Sequence, residues 1–285
     1  MELAINKLKA SKFSDEEFDA MLDHLKDPNL LLFNTVRTEI MRLINNYMIN
    51  EGFVHPPAYM LSGLTDPLNH ETWPAKCDYY GNEVSLNQSL IFHKMAIVSC
   101  SPMKKVYWFS PNIRMESSPN GKHYATEFTQ MDFEVEGWRV VQSIDFVENL
   151  LNHISRDISS SFNISSSFNS WHIITKLTNL KREAYDYYCD LSKEYKNFDF
   201  EINGLEVCSG AQREYEYARL KKRMEDLNYP LEYFEPILKM AHRGLLKPSA
   251  GAGIGIERLT RAIMGLDDIS KIYPFARRPR ENLIF

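Results

Sequence analysis

Three features are scarce in this sequence of 285 residues: paired cysteines, long apolar runs and an excess of basic charge. The four cysteines form no Cys-x-x-Cys pair and have no histidine at zinc-ligand spacing, which predicts free thiols in a reducing compartment. No apolar run approaches the roughly 18 residues of a membrane span, and no signal peptide precedes Glu2. The net charge of −5 lacks the basic excess of a nucleic-acid-binding protein. A soluble, cytoplasmic protein is therefore expected.

The chain is predicted to form one domain over residues 1–285, because it has no internal repeat or low-complexity linker and 44% of its residues are hydrophobic. Ser14 and Glu17 have the spacing of a capping box, which predicts a helix start. A second helix is predicted from Pro28 to Gly52. Residues 1–28 would then be a helical N-terminal extension.

The pattern further along the chain predicts strands and helices in alternation. Strands are expected at 53–60 (an edge strand, because it contains two prolines), 106–110 and 199–206, the last leading into a loop at 208–210. Helices are expected at 85–100, 140–158 and 176–196, with two more between 214 and 243. Both helices and strands are therefore expected.

The segment before Arg258 combines two periodicities. Gly251, Gly253 and Gly255 alternate with other small or apolar residues, and helical spacing follows, which predicts a strand that leads directly into a helix. Such a strand has one face without side chains, on which a flat group could lie beside Arg258. A dinucleotide fingerprint is excluded because Ile256 replaces its third glycine, and a phosphate loop is excluded because no Gly-Lys-Ser/Thr follows. The alternative is a tightly packed strand–helix junction without a ligand.

Another strand, predicted near residue 130, places its polar side chains on one face. That face holds Phe128, Gln130, Asp132, Glu134 and Glu136, and apolar residues alternate with them on the other. The alternative interpretation is a solvated outer face, which is usual for antiparallel sheets.

ATP-dependent activation of a carboxylate would explain several charged residues together. That chemistry requires a cation on the α-phosphate, carboxylates for Mg²⁺ and a flat surface for adenine. Arg114, the pair Asp199 and Glu206, and Phe128 with the glycine strand would supply these in turn. The alternative is a scaffold or regulatory domain whose charges form surface ion pairs, each worth about 0–1 kcal/mol.

Four segments resemble class II aminoacyl-tRNA synthetases of the aspartyl/asparaginyl branch. Ile113-Arg114-Met115-Glu116, followed by His123 and Glu127-Phe128, is similar to motif 2 of that class. Residues 251–259 resemble motif 3, and the helix up to Gly52 with the strand containing Pro57 resembles motif 1. Residues 204–213 are similar to the segment of this branch that serves magnesium and the amino acid. The resemblance implies an α+β fold, in which an antiparallel β-sheet is flanked by helices, and a homodimer formed through motif 1.

The resemblance also implies a role for each candidate residue. ATP would be bound by Arg114, Glu116, His123, Phe128, Glu206, Gly255 and Arg258, with Arg114 and Arg258 acting in catalysis. Magnesium would be held by Asp199 and Glu206. The amino acid would be bound by Lys94, Gln130, Asp132, Ser209 and Arg213. The required cofactors would be ATP and Mg²⁺.

Aspartate is the expected substrate, because Lys94 and Arg213 offer two cations to one side chain. The runs at 110–114 and 247–253, with Ser249 where histidine is usual, resemble archaeal asparagine synthetases related to asparaginyl-tRNA synthetase. That resemblance implies an aspartate–ammonia ligase that works through a β-aspartyl adenylate, without an anticodon-binding barrel and without tRNA. The alternative is an aspartyl/asparaginyl-tRNA synthetase paralogue that transfers activated aspartate to a tRNA or another acceptor.

Overall fold

The structure is a computed structural model that describes residues 12–68, 71–116, 122–162, 171–175, 183–279 and 282–284. The helices in these ranges are α1 (Asp15–Leu25), α2 (Asn29–Asn50), α3 (Ile91–Cys100), α4 (Val140–Phe162), α5 (Tyr217–Asp226), α6 (Glu235–His242) and α7 (Ile256–Met264), with a 3-10 helix at Ile269–Ile272. The strands are β1 (Leu61–Ser62), β2 (Thr72–Trp73), β3 (Lys76–Tyr79), β4 (Asn82–Leu86), β5 (Lys105–Ile113), β6 (Met115–Glu116), β7 (Glu127–Glu136), β8 (Trp171–Thr175), β9 (Tyr188–Cys189), β10 (Glu194–Tyr195), β11 (Asn197–Ile202), β12 (Leu205–Gln212) and β13 (Ser249–Gly255).

A six-stranded antiparallel sheet in the order β5-β7-β13-β12-β11-β8 organises the molecule. The glycine strand β13 lies between β7 and β12, so the motifs that are distant in sequence become neighbours. Gly253 is opposite Asp132 on one side and opposite Ser209 on the other. The predicted antiparallel sheet flanked by helices is confirmed.

One face of this sheet is covered by α2, α4 and α7. Met131, Phe133 and Val135 of β7 point into this layer, together with Ile254 of β13, and all four side chains are buried. Burial of such side chains contributes about 1.5–3 kcal/mol each relative to exposure, and alternation leaves the polar residues of β7 on the opposite face.

The opposite face is bordered by a second apolar cluster. Phe92 and Met95 of α3 pack there with Leu220 of α5 and Ile237 of α6. Because α3 is fixed by this cluster, Lys94 in its middle is carried to the polar face of the sheet.

The β11–β12 hairpin contains two features that orient its side chains. Asn203 and Gly204 both have positive φ angles (52° and 73°), as required by a two-residue type I′ turn. The register then shifts between Phe200 and Glu201, where Val207 of β12 has no opposite residue. This β-bulge changes which residues of β12 share a face.

Several predicted elements differ from those observed. Residues 53–60 form no strand beyond an isolated bridge between Val54 and Val106, because Pro56 and Pro57 have no N–H for a ladder. The helix predicted from Ser85 begins only at Ile91, because residues 82–86 pair with β1 and β3 instead.

Two further predictions concern the second half of the chain. The helix predicted over 176–196 is wrong where it can be compared: 176–182 lie outside the described residues, and 183–196 contain the β9–β10 hairpin. Arg219 and Arg223 of α5 donate hydrogen bonds to backbone carbonyls of this segment and so fix it in an extended form. The predicted loop 208–210 is the middle of β12.

The first described helix follows its sequence signal. Ser14 Oγ accepts the N–H of Glu17 at 3.1 Å, and a carboxylate oxygen of Glu17 accepts the N–H of Ser14 at 2.7 Å. The capping box is therefore present. The division of the chain into an extension and one catalytic domain stays a prediction.

Candidate functional site

A cavity of about 850 Å³ lies on the polar face of the sheet. Its size falls within the range of small-molecule sites. Of the residues predicted from sequence, it is lined by Lys94, Arg114, Glu116, Phe128, Gln130, Asp132, Glu206, Ser209, Arg213, Gly255 and Arg258. The structure therefore brings most of the predicted site into one cavity, with the Lys94–Arg213 end and the Arg114–Arg258 end on the same sheet face.

Lys94 and Asp132 form a buried ion pair. Lys94 Nζ lies 2.7 Å from Asp132 Oδ1, and the side chains are 3% and 2% exposed. The second oxygen, Asp132 Oδ2, is buried and accepts no hydrogen bond from the described residues. A buried carboxylate oxygen without a donor is costly, so it marks a place where a ligand N–H can bind.

Glu134 lies next to the predicted site residues but was not predicted as one of them. Its carboxylate is fully buried and accepts hydrogen bonds from Arg213 Nε (3.2 Å to each oxygen) and from Ser249 Oγ (2.8 Å). Lys94 Nζ lies 3.8 Å away. The signal was available, because a carboxylate in the middle of a buried strand requires cationic partners.

Arg213 is held on several sides. Its Nη2 donates to the carbonyl of Gly251 at 3.1 Å, and its Nη1 lies 3.6 Å from Asp186 Oδ1. Burial alone lowers the pKa of this guanidinium, but the nearby Glu134 and Asp186 carboxylates outweigh burial and leave the pKa raised. Arg213 therefore remains charged at the end of the cavity.

The face of β13 is not bare at Gly251 and Gly253, where a surface for a flat ligand was predicted. A Cβ on Gly251 would lie 2.0 Å from the carbonyl oxygen of Phe133 and 2.4 Å from Glu134 Oε2. A Cβ on Gly253 would lie 1.9 Å from Gln130 Nε2. Side chains of β7 thus cross over these two glycines, and the bare face accommodates protein groups at these positions.

Gln130 is fixed from behind by a chain of amides. Asn112 Nδ2 donates to Gln130 Oε1 at 2.5 Å, and Asn87 Nδ2 donates to Asn112 Oδ1 at 2.8 Å. Its oxygen is thereby occupied, and its amide nitrogen lies over Gly253.

The other end of the cavity contains two arginine–aromatic pairs. The Arg114 guanidinium carbon lies 4.9 Å from the Phe128 ring centroid, and that of Arg258 lies 5.0 Å from the Tyr124 centroid. Arg114 Nε also donates to the carbonyl of Gln88 at 3.1 Å. Planar guanidinium groups stacked on rings are suited to binding phosphates and a planar base.

Glu206 reaches the cavity because of the β-bulge. Glu206 and Ser209 are three residues apart, a spacing that places side chains on opposite faces of a regular strand, yet both line the cavity. Arg258 Nη1 lies 3.5 Å from Glu206 Oε1. Asp199 is buried and lies opposite Ser209, but it is not among the residues that line the cavity.

The two carboxylates fit a magnesium ion in their chemistry. Mg²⁺ prefers oxygen ligands and is commonly held by one or two carboxylates together with substrate phosphates. Within the described ranges, no group of three or more His, Cys, Asp or Glu residues could hold a metal ion. A phosphate-dependent site with Glu206 and Asp199 is compatible with this donor set.

His123 lies beside the cavity rather than in its lining. Its Nδ1 is 2.8 Å from Arg261 Nη1, so this nitrogen accepts a hydrogen bond and the ring is neutral. Burial, and then the charges of Arg261, Arg258 and Lys122, lowers the His123 pKa. A contact between His123 and ATP stays a prediction.

A cluster missed by the sequence analysis closes one side of the cavity. The hydroxyl of Tyr185 donates to the buried Asp66 carboxylate, 3.0 Å from each oxygen, and Ser89 Oγ donates to Asp66 Oδ2 at 2.8 Å. Burial raises the pKa of the Tyr185 hydroxyl well above its usual value, so it remains a donor. These contacts join segments far apart in sequence, which local patterns do not indicate.

Replacement of Gly253 by alanine tests the packing of β13. The new Cβ would displace the Gln130 amide, so we expect kcat/KM for the amino-acid substrate to fall by about 10-fold, in line with a lost hydrogen bond. Gly210→Ala is the matched control, since its Cβ would meet the Phe198 ring at 2.4 Å on the other face. The control should lower the free energy of unfolding by about 1–3 kcal/mol without changing KM. Equal effects on KM would contradict the assignment of the two faces.

A family model described as tRNA synthetases class II (D, K and N) matches residues 18–195 and 173–279. The chain belongs to this family. The class II core of the aspartyl/asparaginyl branch, predicted from the four motifs, is confirmed by this match. Among the described residues, no helix has the length and apolar character of a membrane span.

Relatives of known name belong to the same branch. An aspartate–tRNA(Asp) ligase of Picrophilus torridus is 25% identical over 307 residues, which are 90% of this chain and 70% of the relative. An asparagine–tRNA ligase of Mycoplasma mycoides subsp. mycoides is 25% identical over 276 residues, which are 73% of this chain and 60% of the relative. The asparaginyl-tRNA synthetase of Pyrococcus horikoshii, complexed with asparaginyl-adenylate, has the same fold (TM-score 0.82, 17% identity, 94% of this chain and 74% of that one).

These comparisons correct two predictions. The prediction of an aspartate–ammonia ligase is wrong, because the relatives of this family member are aspartate and asparagine tRNA ligases. The prediction that the chain does not bind tRNA conflicts with the same relatives and is also wrong. The acidic net charge was a poor guide, because charge averaged over a whole chain does not describe one surface.

Proposed function

We propose that this synthetase-family chain activates aspartate with ATP and transfers the aspartyl group to a tRNA or another acceptor. The observation that carries the proposal is the single cavity with a buried amino-acid end at Lys94, Asp132 and Arg213 and an arginine-rich end at Arg114 and Arg258. In the reaction, a carboxylate oxygen of aspartate attacks the α-phosphorus of ATP and pyrophosphate leaves. A hydroxyl oxygen of the acceptor then attacks the carbonyl carbon of this mixed anhydride, an ester forms, and AMP leaves as the hydroxyl proton is released.

The amino-acid end supports aspartate as substrate. The ammonium group would bind Asp132 Oδ2, which is buried and accepts no hydrogen bond from the described residues. Lys94 and Arg213 would face the side-chain carboxylate, to which they would form stronger hydrogen bonds than to a neutral amide. Asparagine is the second candidate, because Asp132, Glu134 and Asp186 already offset both cations.

The other end supports a nucleotide with its phosphates. Arg114 would bind the α-phosphate, and its charge would matter most in the transition state, where negative charge is crowded around phosphorus. Arg258 would bind the distal phosphates and Phe128 would contact adenine. Glu116, which also lines the cavity, would belong to the ATP-binding residues. Magnesium, held by Glu206 and Asp199, would neutralise phosphate charge when bound.

The expected homodimer remains part of the proposal. Apolar side chains are exposed along α2 and the segment after it, including Leu31 (76% exposed), Ile49 (56%) and Val54 (46%). A second copy that covers such residues would remove apolar surface from water.

The proposal is tested by ATP–pyrophosphate exchange followed by acceptor labelling. We expect exchange with aspartate and Mg²⁺ to exceed exchange with asparagine by at least about 10-fold, because a charged side chain gains two cationic partners. Radiolabelled aspartate should then pass to unfractionated tRNA. Exchange with neither amino acid would contradict the proposal, and stronger exchange with asparagine would reverse its specificity.

A further inference from the structure

Three residues form a triangle beside the arginine-rich end of the cavity, and one of them, Glu257, is part of its lining. Arg37 of α2 donates from Nε to Glu257 Oε1 at 2.9 Å and from Nη2 to Thr129 Oγ1 at 2.8 Å. Glu257 Oε2 in turn accepts the backbone N–H of Thr129 at 2.8 Å. Each member therefore contacts the other two. Glu257 is almost fully buried (4% exposed), whereas Arg37 is 24% exposed.

Glu257 extends the sheet where its strand ends. The pairing of β13 with β7 stops at Gly255 opposite Gln130, and the chain then turns into α7. The next backbone N–H along β7, that of Thr129, donates instead to the side-chain carboxylate of Glu257. Without this carboxylate, the Thr129 N–H would lose the acceptor that continues the hydrogen-bond ladder of β7. The orientation of this carboxylate is set by the fork of Arg37.

The triangle adjoins both arginine–aromatic pairs. Thr129 directly follows Phe128, whose ring lies against Arg114, and Glu257 directly precedes Arg258. A shift of Thr129 relative to Glu257 would change the spacing between the Phe128 ring and the Arg258 guanidinium. Arg37 is the member that comes from another layer of the molecule, the helix α2.

We propose that Arg37 is a positioning residue for the nucleotide: it touches no reacting atom but holds Phe128 and Arg258 at the spacing that ATP requires. This inference rests on the proposed function, because it assumes that the arginine-rich end binds ATP. Small displacements of binding groups greatly lower the rate in such sites. The amino-acid end, fixed by Lys94 and Arg213, is outside the triangle.

Arg37→Met is expected to raise KM for ATP by about 10-fold in the exchange reaction, because the contacts that position Phe128 and Arg258 are lost. KM for aspartate should change less than about twofold, and saturating ATP should restore most of kcat. Thr129→Val, which keeps the shape and removes the hydroxyl acceptor, should raise KM for ATP in the same direction. The double variant should have the same KM for ATP as Arg37→Met, because Thr129→Val removes a contact that Arg37→Met has already removed. Arg37→Lys, which keeps a charge for Glu257, should recover part of the loss.

Arg42→Met is the matched control. Arg42 lies on the same helix and pairs with Glu39 on the surface, with 55% of its side chain exposed. It should leave both KM values unchanged. If wild-type protein shows no exchange, the proposed function fails. If wild-type exchange is normal and Arg37→Met lowers thermal stability without changing KM for ATP, Arg37 is only structural and the inference is overturned.

Discussion

Replacement of Arg213 by leucine should lower kcat/KM for aspartate by about 10²- to 10³-fold, because truncating one member of a buried, hydrogen-bonded charge pair costs about 2–5 kcal/mol. Arg213 supplies the amino-acid end with a fixed charge and simultaneously neutralises Glu134. Its loss would leave Glu134 with Ser249 and the more distant Lys94 as partners. Exchange assays at varied aspartate and saturating ATP measure the effect.

The same substitution should also reduce stability, since it leaves a buried carboxylate short of positive charge. Arg219→Leu is the matched control, because Arg219 neutralises another fully buried carboxylate, Glu214, from outside the cavity. Both variants should unfold at lower denaturant concentration, but Arg219→Leu should retain KM for aspartate. Arg213→Lys serves if the leucine variant does not fold: it keeps the charge, loses the fork and should still bind aspartate poorly. Normal aspartate KM in the lysine variant would remove Arg213 from the amino-acid site.

Replacement of Arg114 by alanine should reduce kcat for ATP–pyrophosphate exchange by at least about 10²-fold, the usual result of removing a donor to transition-state charge. Arg114 is half-buried at the cavity wall, and its side chain is oriented by Phe128 and by the carbonyl of Gln88. Because this role concerns the transition state, KM for aspartate should change little.

Lys105→Ala is a suitable comparison for Arg114→Ala. Lys105 lies at the other end of β5 and has a cation–aromatic contact of 5.6 Å with Phe53, away from the cavity. Its loss should not alter exchange. A wild-type kcat in Arg114→Ala, with this control also unchanged, would exclude Arg114 from the chemistry.

The sheet and its faces were predictable because they depend on local alternation. Asp132 shares a face with Gln130 through the two-residue repeat of β7, and the glycine strand was evident from Gly251 to Gly255. The hairpin at Asn203-Gly204 also has a local cause, although a single strand was predicted across it at 199–206.

The remaining parts of the site depend on contacts between distant segments. The bulge that directs Glu206 to the cavity depends on pairing between β11 and β12 and leaves no mark in the local pattern. Glu134 was visible as a polar residue on the correct face, but its partners Arg213 and Ser249 are 79 and 115 residues away. The role of Gly251 could not be inferred either, because its space is filled by the Phe133 carbonyl oxygen and the Glu134 side chain of the neighbouring strand.

The choice of acceptor was the least accessible property. The residues that activate a carboxylate with ATP are the same whether ammonia or a tRNA hydroxyl attacks afterwards, since the acceptor enters only in the second step. Ser249 belongs to the run whose resemblance implies ammonia as acceptor, yet in the structure it donates a hydrogen bond to Glu134 within the sheet. A structural explanation is therefore available for the residue on which that prediction partly depended.

A crystal structure with a non-hydrolysable aspartyl-adenylate analogue tests the central claim most directly. We expect the ammonium group of the analogue to lie within about 3.2 Å of Asp132 Oδ2. Its side-chain carboxylate should face Lys94 and Arg213, and its adenine should lie against Phe128. An analogue bound outside this cavity, or bound with its adenine next to Arg213, would contradict the claim that one sheet face holds the amino acid and the nucleotide together.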